Sequence, residues 1–198
     1  MYPIKKMIVC LDQSPLDQNL IAFAGAIAKV NQVKKIYFTN VIKNFGLPKE
    51  MLEEFPDLIE KMVGERRTAM ENTVHKYLDP QKGLEVSFVV KEGNLSKKIL
   101  KLAEEKSVDL ILLGKKATLV GTGVASQRMA RRATCSLLLV PEDAKPKFTR
   151  LLVPSDFSEH SKTALEEGIL WAKKQGLKTE LFFQNVFTIP SGYYFTGK

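Results

Sequence analysis

Apolar residues in this chain come in short unbroken runs separated by stretches of helical period. Met7 to Leu11 is a continuous apolar run closed by Asp12. Its length and β-branching predict a buried strand. Ser14-Pro15 predicts a helix start, with Ser14 as N-cap and Pro15 at the first helical position. Leu20, Phe23, Ala24, Ile27 and Ala28 then give that helix one apolar face. Ile36 to Ile42 predicts a second strand, Gly46, Pro48 and Pro56 mark a loop, and an amphipathic helix follows from about Leu58 to Tyr77. Leu84 to Val90 predicts a third strand. Ser96 is expected to cap the next helix, whose core face is Ile99, Leu100, Leu102 and Ala103. Val108 to Leu113 predicts a fourth strand ending at Gly114. A loop through Gly121 and Gly123 leads to a short helix, about Val124 to Ala133, and Ser136 to Val140 predicts a fifth strand stopped by Pro141.

Strict alternation of strand and helix implies an α/β fold with a parallel sheet and helices on both faces. The strands are nearly all apolar, as strands covered on both sides should be. The expected architecture is a Rossmann-like parallel sheet of five strands.

The pattern then restarts. Arg150 to Ser158 resembles Lys6 to Ser14, with Asp156 placed 144 positions after Asp12 and Ser158 144 after Ser14. Leu165, Ile169, Leu170 and Ala172 predict a matching helix face. Leu181 to Val186 matches the second strand, with Asn185 placed 145 positions after Asn40. A nearly constant offset across two strands and a helix predicts an internal repeat. The expected organisation is a first domain over 1–141, a charged linker over 142–148, and the opening β-α-β part of a second, incomplete copy over 149–198. A piece of about 50 residues cannot cover both faces of its own sheet. It is expected to dock on the first domain, to pair with another chain, or to belong to a longer protein cut short; the last is preferred, because Gly192-Tyr193-Tyr194-Phe195 would be an odd exposed end.

Composition changes this picture little. The 198 residues are 44% hydrophobic and 26% charged, as in ordinary globular proteins. No apolar run reaches the roughly 18 residues of a membrane span, and no signal peptide is legible, so a cytoplasmic location is expected. Cys10 and Cys135 read as buried thiols, and His75 and His160 have no partner at ligand spacing. The net charge is +8. Its one tight cluster, Arg128, Arg131 and Arg132, reads either as a solvated helix face or as a nucleic-acid patch. The first reading is preferred, because no aromatic interleaving or known motif accompanies the arginines. No catalytic triad, metal cluster or carboxylate pair stands out, so no enzymatic activity is expected.

Three motifs carry a family resemblance. They are the strand ending in Asp12 followed by Ser14, the run Asp109-Leu110-Ile111-Leu112-Leu113-Gly114, and the helix leading into Ala133-Thr134-Cys135-Ser136-Leu137-Leu138-Leu139-Val140-Pro141. In order and spacing they resemble the universal stress protein family, which implies a fold of the adenine nucleotide alpha hydrolase-like kind, and the restart after Pro141 resembles its tandem form. The resemblance implies a stress-response regulatory role without catalysis, and pairing through the last strand, 136–140, between chains or between domains. It also implies ATP as the cofactor to consider, at Asp12 (adenine and ribose), Val41 (backbone to the base), Gly114, Gly121, Gly123 and Ser126. ATP-binding members carry Gly-x-x-Gly, nine residues, then Gly-Ser or Gly-Thr. Here Ala117 replaces the second glycine, Val124 replaces the hydroxyl, and only Thr118 to Thr122 separate Ala117 from Gly123. Lys115 and Lys116 stand close by and could help hold an anion. A switch with slow ATP hydrolysis is the alternative this loop leaves open. A pyrophosphate loop of the nucleotide-hydrolase type is not present at Gln13 to Asp17.

Overall fold

A computed structural model describes residues 3–42, 53–55, 57–115, 122–175 and 179–187. They fall into two compact units that divide between Pro146 and Lys147.

The first unit runs β1 (Lys6–Cys10), α1 (Leu16–Asn31), β2 (Lys35–Ile42), α2 (Leu58–Tyr77), β3 (Glu85–Glu92), α3 (Leu95–Lys106), β4 (Leu110–Lys115), α4 (Thr122–Ala130) and β5 (Ser136–Pro141). The strands form one parallel sheet in the order β3-β2-β1-β4-β5. Met7, Ile8 and Val9 of the central strand are fully buried. They alternate between two faces, as strand geometry requires. Ile8, Tyr37, Ile111 and Leu113 share one cluster with Ile99, Leu102 and Ala103 of α3 and Met129 of α4. On the other face Phe38 stacks with Phe88, which stacks in turn with His75 of α2. Each buried aliphatic or aromatic side chain contributes about 1.5–3 kcal/mol.

One carboxylate fixes the amino end of the sheet. Asp109 Oδ2 accepts the N–H groups of both Lys5 and Lys6 at 2.8 Å. Lys6 Nζ donates to the carbonyl of Lys106, at the end of α3, at 3.0 Å. A cation there complements the negative end of the helix dipole.

Two helix starts differ from expectation. Asn94, not Ser96, caps α3: its side chain accepts from Lys97 N at 3.1 Å. Asn94 has the extended backbone an N-cap needs, while Ser96 lies inside the helix and is buried. The Ser14 hydroxyl is also not a cap, since it is buried with no hydrogen-bond partner among the described residues. Asp17, buried in the first turn of α1, folds back instead. Its Oδ1 accepts from Asp12 N at 3.1 Å and its Oδ2 from Gln13 N at 2.9 Å.

The second unit contains β6 (Arg150–Ser155), α5 (Glu159–Gln175) and β7 (Glu180–Asn185), with β6 and β7 parallel. Its local geometry repeats that of the first. Asn40 Nδ2 donates to Leu11 O at 2.8 Å, and Asn185 Nδ2 to Ser155 O at 2.7 Å. Asp12 Oδ1 accepts from Ser14 N at 3.2 Å, and Asp156 Oδ1 from Ser158 N at 3.0 Å. Gln13 and Phe157, between those partners, have φ of 62° and 63°. Ser161 stands at the offset of Asp17, and its hydroxyl bonds that of Ser155 at 3.0 Å. Gly168 allows close packing of α5, because a β-carbon there would meet Val153 Cγ2 at 2.8 Å. No described helix is long and apolar enough to cross a membrane.

Candidate functional site

Strand order reverses direction between β1 and β4. In open α/β sheets, ligands bind beyond the carboxyl ends of the strands at such a switch point. Asp12 follows β1, Val41 lies near the end of β2, and Gly114 lies near the end of β4. The fold thus brings three of the expected residues to the ends of three adjacent strands.

Each is held by identifiable contacts. Leu11 N donates to Thr39 O at 2.9 Å, and Asn40 bonds the Leu11 carbonyl, so β2 fixes the exit of β1. Asp12 is exposed, and its carboxylate closes the turn to Ser14. Gln13, held at positive φ, exchanges hydrogen bonds with Arg66 of α2: the Arg66 guanidinium donates to Gln13 Oε1, and Gln13 Nε2 donates to Arg66 O. Val41 is half-buried and packs against the cluster under α3.

Gly114 has a packing reason of its own. A β-carbon there would lie 2.3 Å from Leu16 Cδ2, a separation that real atoms do not tolerate. The first turn of α1 therefore sits directly on this glycine.

Gly123 falls in the first turn of α4, and Ser126 lies one turn on, partly exposed. Gly121 and Lys116 lie outside the described residues. Arg128, Arg131 and Arg132 are exposed.

Two cavities flank the start of α1. One of about 440 Å³ is lined by Ser14, Asp17, Gln18, Asn72, Thr73 and Lys76, among others. The other, about 290 Å³, is lined by Ser14, Pro15, Leu16, Asn19 and Glu142. Neither is lined by Asp12, Val41 or Gly114. A larger one, about 680 Å³, lies at the opposite end of the sheet, between α1 and the segment that enters β3. Among the described residues no group of three His, Cys, Asp or Glu side chains could hold a metal ion.

Residues that motif reasoning passed over do much of the positioning. Asp17, Asn40 and Arg66 orient the turn without matching any motif. Asn40 did leave a signal, its repetition as Asn185.

Cys10 and Cys135 are both half-buried rather than fully buried as expected; desolvation pushes the Cys10 thiol up. Burial first, and then the charge of Asp109, raises Cys135.

The sequence profile described as "Universal stress protein family" matches residues 3–141. No curated protein sequence matches the chain. Among solved structures, a universal stress protein from Archaeoglobus fulgidus DSM 4304 is 20% identical, with a TM-score of 0.64 over 98% of this chain and 71% of that one. The hypothetical protein MJ0577 is 20% identical, with a TM-score of 0.57 over 73% of this chain and all of that one. A universal stress protein family protein from Arabidopsis thaliana with AMP bound is 17% identical, with a TM-score of 0.45 over 71% of this chain and 93% of that one.

Proposed function

Because the chain belongs to the universal stress protein family, we propose that it is a cytoplasmic, non-catalytic regulatory protein of the stress response. The match over residues 3–141 carries this reading. The contacts of Asp12 support it, since its carboxylate and N–H are both engaged in building a turn. Incubation with Mg-ATP tests it. Phosphate release no faster than the protein-free blank is expected, and turnover above the blank would replace this reading with that of a hydrolysing switch.

A second reading, nucleotide binding without turnover, is favoured by one arrangement: the exposed Asp12 stands at the switch point beside Val41 on the neighbouring strand. Small residues normally let backbone N–H groups approach phosphates, and Ala117 and Val124 weaken that provision here. AMP and ATP are the probes for calorimetry. Heat that Asp12→Ala abolishes supports the reading, and no heat at millimolar nucleotide ends it.

Residues 149–187 are read as a second copy of the opening of the first unit, giving a tandem form. The repeated Asn–carbonyl bonds and Asp–Ser turns support this. Pairing through β5 is part of the same proposal. It is an edge strand and exposes Leu139, and such an edge needs cover. Leu139→Lys should lower the mass seen in sedimentation if β5 is the contact.

A further inference from the structure

The outer face of the β6–β7 sheet carries Leu152 and Phe182 side by side, 61% and 50% exposed. Their counterparts at the repeat offset, Ile8 and Tyr37, are 0% and 8% exposed. The first unit itself explains the difference. There β4 pairs with β1 from Met7 to Cys10, and Ile99, Leu102 and Ala103 of α3 join the cluster of Ile8 and Tyr37. Among the described residues β6 pairs with β7 alone. Thr149 and Arg150 stand where Lys5 and Lys6 meet Asp109.

We propose that the open edge of β6 and the Leu152–Phe182 face are a docking site for a helix-and-strand segment of α3–β4 chemistry, the complementary half of a second domain. The partner is a helix with aliphatic residues at i, i+3 and i+4 that runs into an aliphatic strand opening on an aspartate. Each part answers a feature of the site. An unpaired edge offers a row of backbone groups to an added strand. The exposed Leu–Phe pair requires an aliphatic cover. Charge matches as well. Arg150 takes the place of Lys6, whose ammonium meets the carbonyl end of α3 and whose N–H meets the aspartate. This inference rests on reading residues 149–187 as a repeat.

The test uses the full chain, ¹⁵N-labelled, and a synthetic peptide with the chain's own sequence Leu95–Lys115 as probe. Saturable shift changes are expected along Arg150–Ser155 and Glu180–Asn185. Leu152→Asp and Phe182→Asp in the chain, and Asp109→Leu in the peptide, should each weaken binding by about ten-fold or more. Both chain positions are exposed, so these variants keep the fold, which the dispersion of the same spectra checks. No shifts at millimolar peptide would overturn the proposal. So would shifts confined to β1 and β2, which mean strand exchange in the first unit. Concentration-dependent broadening of β6 and β7 without peptide would make a second copy the occupant and also overturn it. The repeat reading is tested separately, without peptide. If Asn185→Leu leaves the second unit unperturbed while Asn40→Leu disturbs the first, that reading fails on its own ground.

Discussion

Leu16 and Gly114 share one small space: Leu16 Cδ2 lies 2.3 Å from the point a β-carbon on Gly114 would occupy. A glycine that motif logic assigns to a ligand is therefore already required by packing. Gly114→Ala is expected to cost about 1–3 kcal/mol, as overpacking does, and to lower the urea midpoint accordingly. Combined with Leu16→Ala the two costs should add to less than their sum, because the contact is shared. An unchanged midpoint in the single variant would return the glycine to a ligand role.

Asp17 holds two consecutive N–H groups at the exit of β1. Asp17→Ala leaves both without their acceptor, at about 1–3 kcal/mol each where water cannot replace it. Asp17→Asn should recover part of the loss, since an amide oxygen still accepts. Chemical denaturation of the three proteins checks the order Asp, Asn, Ala.

The order of strands and helices was legible because buried strands write themselves as apolar runs. Met7 to Leu11 and Leu110 to Leu113 allow little else. The match in sequence between the two stretches was legible for the same reason, and because Asp12 and Asn40 have Asp156 and Asn185 at nearly the same offset. Helix caps were not. Ser14 and Ser96 have the right chemistry, but Asn94 is the residue that caps α3, and Asp17 turns back to the N–H groups of Asp12 and Gln13 ahead of α1. Which of two neighbouring polar side chains wins depends on φ and ψ, which sequence does not state. Asp12, Val41 and Gly114 were placed correctly at the strand ends. The contact that explains Gly114 involves Leu16, a distant residue that no spacing rule connects to it.

The two thiols should differ in reactivity. Burial disfavours the Cys10 thiolate strongly and the Cys135 thiolate less, and the thiolate is the reactive form. Both side chains are half-buried, so at pH 8 iodoacetamide should label Cys135 slowly and Cys10 more slowly still, as peptide mapping would show. Labelling of Cys10 in the native chain as fast as Cys135 would contradict this order.

The Asp156 carboxyl is held below the usual carboxylate range, first by the Ser158 hydroxyl and then by the Ser158 N–H. A folded-state value below the unfolded one means stability that is present above the unfolded value. It is lost as pH falls through the folded value. The window lies below the ordinary aspartate range, and full exposure keeps the effect small. An NMR titration should place the Asp156 midpoint below that of free aspartate, and Ser158→Ala should move it up. No movement would remove Ser158 as the cause.

The neighbours of β1 and β6 have a mechanical consequence. β1 is gripped on both sides, by β2 and β4, and clamped at its start by one oxygen of Asp109. Drawing it out under tension means shearing two rows of hydrogen bonds together. The described partner of β6 is β7 alone, so one row resists. Stretched between its ends in an optical trap, the chain should lengthen in two steps: the second unit extends at low force, and the first holds until the load rises.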